Sequence, residues 1–152
     1  MINVDLKHFP SKIKKAKSIA LIGNGGNLAV AQHMASDLTR HTGKFCFAPD
    51  SVHSTALGGD GDWKKSWVKE YAKNAELVIG ITCRKKSGVS NAIMEVRDQC
   101  DTLLIAPLHH DTLDTLVIPT KTYHEFECTA LWTIYRMMEH VGVELPTLPH
   151  IS

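Results

Sequence analysis

The sequence predicts an α/β fold, a three-layer sandwich in which a five-stranded parallel sheet lies between helices on both faces. Short apolar runs rich in β-branched residues alternate with longer segments of helical period. That alternation is typical of a parallel sheet whose strands are connected by helices. The first apolar run also ends in a glycine-rich turn, so any ligand should bind at the carboxyl ends of the strands.

The predicted elements follow one another along the whole chain. The strands are expected at residues 18–23, 44–48, 77–83, 102–107 and 115–119. The helices between and after them are expected at residues 27–40, 62–74, 89–99 and 123–141. In the last and longest helix, apolar residues recur at helical spacing, which indicates that one face packs against other elements.

Length, charge and cysteine spacing limit the kind of protein. A chain of 152 residues with 43% hydrophobic content fits a single domain, with a core at about 17–142, a short N-terminal helix and an irregular C-terminal tail. The net charge of +1 lacks the positive surface of a general nucleic-acid binder. No apolar run has membrane-spanning length, and the 4 cysteines form no CxxC pair. We therefore expect a cytoplasmic protein with neither a nucleic-acid nor a membrane partner.

The glycine-rich turn has the sequence GNGGN and joins the first strand to the first long helix. Glycines allow a ligand to approach the backbone closely, and the free N–H groups at a helix start attract anions. The turn lacks the third glycine of a dinucleotide fingerprint and the GK[ST] of a P-loop. We expect Gly25, Gly26 and Asn27 to bind a phosphate or sugar phosphate. A tight turn without a ligand is the alternative.

His33 and Asp37 follow on the same helix. They are four residues apart, so their side chains are neighbours on the helix surface. This spacing suits a metal site or an acid/base pair. An exposed polar face without chemistry is the alternative interpretation.

With the GNGG turn and the AQH that ends at His33, the chain resembles a sugar isomerase (SIS) domain of Rossmann-like architecture, and within it the phosphoheptose isomerase group. That group has a GNGGS turn, an AQHF helix and a Glu four residues after the His, where this chain has Asp37. The resemblance extends through residues 50–63, where Asp60 matches the family's Asp, through residues 77–93 and into the terminal helix.

The resemblance implies an aldose–ketose isomerisation of sedoheptulose 7-phosphate, or a related sugar phosphate, through an enediol. It also implies a homo-oligomer, a dimer or tetramer, with the sugar-phosphate site at subunit junctions. In this chain Asp37 and His124 would be the catalytic pair. In members that bind zinc, the matching ligands here would be His33, Asp37 and His124.

The family's catalytic His on the last helix falls at Trp132, which cannot relay a proton. Replacements nearby on this helix would be Glu125, Glu127 or Cys128. A non-catalytic SIS-domain protein that binds a phosphosugar or a partner is therefore the alternative function, and an isomerase for a different phosphosugar is a third.

The loop after the third strand is serine-rich in the family, of the form STSGNS, but here reads TCRKKSG. Thr82 and Ser87 keep hydroxyl groups, whereas Arg84, Lys85 and Lys86 add positive charge. Because Arg and Lys bind phosphate well, we expect Thr82, Arg84, Lys85 and Ser87 to hold the substrate phosphate. A solvated basic loop in a degenerate site is the alternative.

Overall fold

The computed structural model of the chain describes residues 2–50 and 62–149. The strands are β1 (Ser18–Ile22), β2 (Phe45–Phe47), β3 (Leu77–Ile81), β4 (Asp101–Ala106) and β5 (Thr115–Val117). The helices are α1 (Phe9–Lys15), α2 (Gly26–Thr42), α3 (Trp63–Trp67), α4 (Gly88–Met94) and α5 (Tyr123–His140). Helix α3 continues directly into a π-helical turn, Val68–Ala72.

The five strands form one sheet in the order β2-β1-β3-β4-β5, and every neighbouring pair is parallel. The five-stranded parallel sheet that the sequence predicts is therefore confirmed. After β1 the chain moves outward to β2 and then returns to β3 on the other side of β1. Such a reversal of strand order opens a crevice between the two strands at their carboxyl ends, where doubly wound proteins bind ligands.

Helices cover both faces of the sheet, and alternate residues of one strand show why. Ile19 and Leu21 of β1 are buried with α1, α2 and α5, whereas Ala20 and Ile22 are buried with α3 and α4. Successive strand side chains point to opposite faces. A strand buried on both faces must be apolar at nearly every position, which explains the uninterrupted apolar runs of the sequence.

Three helices differ from their predicted bounds. Helix α2 extends to Thr42 and ends where Gly43 adopts φ +72°, a left-handed conformation that suits glycine. Helix α4 is shorter than the predicted 89–99, because the N–H groups of Glu95 and Val96 bond carbonyls three residues back and tighten the chain into turns. The single helix predicted at 62–74 is divided between α3 and its π-helical turn.

Helices α2 and α5 pack side by side and run in the same direction. Near their starts, Gly26 of α2 meets Glu127 of α5. Further along, Asp37 of α2 meets Tyr135 of α5. At a rise of 1.5 Å per residue, Asp37 lies about 16 Å along the axis from Gly26. The helix pair therefore carries two separate polar groups, of which only the first is at the edge of the sheet.

Candidate functional site

A cleft of about 350 Å³ lies where the turn after β1, the loop after β3 and the start of α5 come together. We call it the switch-point cleft. The polar side chains along its wall are Asn24, Asn27, Lys64, Thr82, Arg84, Ser87, Tyr123 and Glu127. The structure thus brings together Asn27, Thr82, Arg84 and Ser87 from two sequence segments, as the parallel sheet predicts.

The glycine turn adopts a backbone conformation that favours glycine. Gly25 precedes α2 with φ +56°, which side-chain-bearing residues rarely adopt. A Cβ at Gly26 would overlap the carboxylate of Glu127, so that side chain would have to move to accommodate one. The N–H of Asn27 donates to the carbonyl of Asn24 at 3.1 Å and closes the turn. The turn therefore carries the first residues of α2 directly past the cleft.

Asn27 is buried, with 6% of its surface exposed, and its amide is only half satisfied. Its Nδ2 donates to Cys83 Sγ at 3.3 Å. Its Oδ1 has no hydrogen-bond partner among the described residues. A buried acceptor without a partner costs about 1–3 kcal/mol, so a donor supplied by a ligand would stabilise it.

The hydroxyl groups of the loop after β3 are used largely within the loop. The Thr82 hydroxyl donates to Ser87 Oγ at 3.0 Å and accepts from the N–H of Arg84 at 3.2 Å. Ser87 caps α4 by accepting from the N–H of Ser90 at 3.2 Å, while Ser90 Oγ accepts from the N–H of Ser87 at 2.8 Å. These bonds hold the loop in shape, so positive charge in the cleft comes from side chains beside them.

Two cationic side chains, Arg84 and Lys64, line the cleft. The Lys64 side chain lies over Gly88, where a Cβ would be 3.4 Å from Nζ. Sequence reasoning missed Lys64, because its approach depends on the packing of α3 against α4 and no motif marks it. Lys85 lies outside the cleft, with its Nζ 2.8 Å from the carboxylate of Asp111.

Glu127 contributes the carboxylate of the switch-point cleft. Its side chain is half-buried and, within residues 2–50 and 62–149, neither a hydrogen bond nor an ion pair engages it. Sequence reasoning gave Glu127 only as one of three replacements on the last helix. Helical spacing could not have selected it, because its position depends on the register between α5 and α2.

Asp37 and His33 lie in a second polar group. The Tyr135 hydroxyl donates to the Asp37 carboxylate and lies 2.9 Å from His33 Nε2, which is 3.2 Å from Asp37 Oδ2. Burial and the nearby Asp37 carboxylate both oppose phenolate formation and raise the pKa of Tyr135 to about 12. Asp37 and Tyr135 face a separate groove of about 330 Å³. The structure does not bring Asp37 to the glycine turn.

The two other positions of the last helix that the resemblance singles out lie in different places: Trp132 lines the groove of Asp37 and Tyr135, whereas His124 does not. His124 is exposed in the first turn of α5 and lines a cleft with Lys121 and Phe126, away from His33 and Asp37. Trp132 is 41% exposed, with the Arg136 guanidinium 5.8 Å from its ring centre. The side chain of α5 that contacts Asp37 is Tyr135, three positions after Trp132. Asp60 lies outside the described residues.

The zinc ligands that the resemblance implies do not form a site within the described part of this chain. No group of three or more His, Cys, Asp or Glu side chains there is arranged to hold a metal ion. His33 and Asp37 are neighbours, but His124 is not with them. The donor set therefore does not fit zinc, and no chemical step is derived through a metal.

Comparisons with known proteins agree with the fold. No family model matches the sequence. The phosphoheptose isomerase of Aliarcobacter butzleri (strain RM4018) is 33% identical over 97 residues, which cover 57% of this chain and 51% of that protein. The chain thus spans about half the length of the curated relative that it matches.

Two solved structures are similar in fold. The phosphoheptose isomerase of Neisseria gonorrhoeae has a TM-score of 0.66 at 24% identity, covering 82% of this chain and 76% of that one. The phosphoheptose isomerase of Francisella tularensis has a TM-score of 0.65 at 17% identity, covering 90% of this chain and 85% of that one.

The sheet order and the switch-point cleft define a doubly wound α/β protein with a polar cleft where the strand order reverses. The curated relative agrees with the resemblance to the phosphoheptose isomerase group, and both solved structures share the fold of this chain. Among the described helices, none has both the length and the apolar content that a membrane span requires.

Proposed function

We propose that the protein is a sugar-phosphate isomerase of the phosphoheptose isomerase type, which interconverts aldose and ketose forms of sedoheptulose 7-phosphate or a related sugar phosphate. The observation that carries the proposal is the composition of the switch-point cleft. Lys64 and Arg84 supply positive charge for a phosphate, and Glu127 supplies a carboxylate that no described residue engages. Anion binding and proton transfer by a carboxylate are the two functions that this reaction needs from a protein.

The reaction moves one proton between neighbouring carbons. A base removes it from the carbon beside the carbonyl, the carbonyl oxygen gains a proton, and an enediol forms. Return of a proton to the other carbon completes the isomerisation. The phosphate takes no part in these steps, so its cationic site serves to hold the sugar in one orientation relative to the base.

The test is an isomerase assay of the purified protein with sedoheptulose 7-phosphate, with and without added zinc, together with thermal melting of the same samples. Turnover is expected without zinc. A sugar phosphate that neither reacts nor raises the melting temperature would contradict the proposal and direct the search to another ligand.

A non-catalytic phosphosugar-binding or partner-binding protein is the second candidate function. The observation that favours it is the engagement of Asp37 by Tyr135 and His33, away from the switch-point cleft. Such a protein would melt at a higher temperature with the sugar phosphate but would not convert it.

The oligomeric state and the cellular compartment are also proposals. We propose that the chain acts as a single-domain, cytoplasmic homo-oligomer, a dimer or tetramer. Support comes from the implied placement of family sites at subunit junctions. Light scattering of the purified protein measures the oligomer, and cell fractionation measures the compartment.

A further inference from the structure

We propose that Glu127 is the carboxylate that moves the proton between the two carbons, and that Asn27 beside it accepts a hydrogen bond from a sugar hydroxyl. This inference rests on the proposed function, because it assigns the base of that reaction. It differs from the sequence expectation, in which Asp37 has this role.

Glu127 lies in the cleft, and no described residue occupies its carboxylate, as a base requires. Among the described residues that line the switch-point cleft, it is the one with a carboxylate. Its carboxylate lies against Gly26, the first residue of α2, where a Cβ would overlap it. No hydrogen bond or ion pair from the described residues competes for its lone pairs.

Asp37 differs from Glu127 in each respect. Its carboxylate already accepts from Tyr135, and His33 lies 3.2 Å from the same oxygen, Oδ2. It faces a groove that shares no described lining residue with the switch-point cleft. A substrate whose phosphate lies beside Arg84 therefore meets Glu127 in the same cleft.

Asn27 is a second and independent indication of a ligand. Its Oδ1 is buried and accepts no hydrogen bond from the part of the chain that the structure describes, and the residue lines the cleft. The other end of the amide is held by Cys83, which keeps the oxygen in place. A buried acceptor is stabilised by a hydrogen-bond donor, and a sugar hydroxyl is such a donor.

The lining of the cleft thus combines two kinds of polar group. Lys64 and Arg84 present positive charge, whereas Asn27 and Glu127 present acceptor oxygens. A phosphorylated ketose has matching ends, since its phosphate is anionic and its carbonyl end carries hydroxyl groups. The ligand class is therefore a sugar phosphate bound with its carbonyl end toward α5.

The proposed step balances without a co-reactant. The Glu127 carboxylate takes a proton from C1 of the ketose, and the electrons of that C–H bond form the C1=C2 bond. The electrons of the carbonyl π bond move to the C2 oxygen, which takes a proton from water, giving the enediol. Loss of the C1 hydroxyl proton to water re-forms a carbonyl at C1 as Glu127 returns its proton to C2.

The experiment follows the reaction of sedoheptulose 7-phosphate in D₂O by NMR, which reports both product and deuterium at the reacting carbons. Glu127→Gln keeps the shape of the side chain but removes its basicity, so a rate loss of about a hundredfold or more is expected. Glu139→Gln is the matched control, because Glu139 lies on the same helix but pairs with Arg136 outside the cleft. It should react at the wild-type rate.

Two further variants sharpen the result. Asp37→Asn should slow the reaction much less than Glu127→Gln. Asn27→Leu removes the acceptor at similar side-chain size, and should raise KM about tenfold with a smaller change in kcat. Thermal melting of each variant establishes that it is folded.

The outcomes separate the two proposals. A wild-type protein that neither isomerises the sugar nor exchanges deuterium overturns the proposed function and this inference together. An active wild type with an equally active Glu127→Gln variant, or with loss only in Asp37→Asn, leaves the isomerase in place and overturns the role of Glu127.

Discussion

The Tyr135 hydroxyl donates a hydrogen bond to the carboxylate of Asp37, and this contact marks the register between α5 and α2. Eight positions earlier on α5, Glu127 meets Gly26. The helix pair therefore holds one engaged carboxylate away from the sheet edge and, at the cleft, one carboxylate that has no partner within residues 2–50 and 62–149. These different surroundings predict different consequences of mutation.

Replacing Tyr135 by Phe should destabilise the protein by about 1 kcal/mol, because the half-buried Asp37 carboxylate loses a hydrogen-bond donor. Denaturant unfolding measures the change. Tyr123→Phe is the control, since Tyr123 is 59% exposed and should change the free energy of unfolding by less than about 0.5 kcal/mol. Equal stability of the two variants would contradict the importance of this bond.

Burial and Asp37 raise the pKa of Tyr135 to about 12, which predicts that this phenol ionises at a higher pH than an exposed tyrosine. The folded-state pKa lies above the value of 10.0 for an unperturbed tyrosine. The protonated Tyr135 therefore makes its full contribution to the stability of the fold below about pH 10. It is lost as the pH rises through about 12. Ultraviolet absorbance of tyrosinate measures this, and the difference between wild type and Tyr135→Phe isolates the one phenol. A difference curve centred near pH 10 would contradict the assignment.

Replacing Arg84 by Ala should weaken binding of inorganic phosphate about tenfold or more, because a hydrogen bond to a charged group contributes about 1.5–3 kcal/mol. Calorimetric titration measures the affinity. Arg97→Ala removes the same charge from outside the cleft and should leave the affinity within about twofold of wild type. Equal losses in both variants would indicate general electrostatic attraction rather than a site.

Gly26→Ala should destabilise the wild-type protein by only about 0.5–1.5 kcal/mol, because its Cβ would overlap the Glu127 carboxylate and force that flexible side chain into another rotamer. In a Glu127→Ala background the overlap is gone. Since Gly26 is the first residue of α2, where alanine is the better helix former, the same change should then be neutral or stabilising. Denaturant unfolding of the four proteins in this cycle measures the coupling. The same cost in both backgrounds would mean that Glu127 does not limit the space at Gly26.

Much of the fold could be predicted because it depends on local patterns. Apolar runs that alternate with helical segments predict the parallel sheet, and the glycines of GNGGN predict the turn. The end of α4 could not be predicted from periodicity, because Val96 and Cys100 continue the helical spacing of Ala92 and Ile93 while the hydrogen bonds of this segment tighten into turns. Boundaries depend on which carbonyl each N–H reaches, and the pattern of side chains does not encode that choice.

The sequence by itself determined that a glycine turn and a basic, hydroxyl-bearing loop meet at the carboxyl edge of a parallel sheet, because strand order and chain direction bring them there. Only the tertiary structure decided which side chains share the cleft with them. Glu127 reaches Gly26 and Lys64 covers Gly88 through the packing of helices distant in sequence, while Tyr135 engages Asp37 away from the cleft. Helix register depends on how side chains interlock across an interface, and neither spacing nor resemblance specifies it.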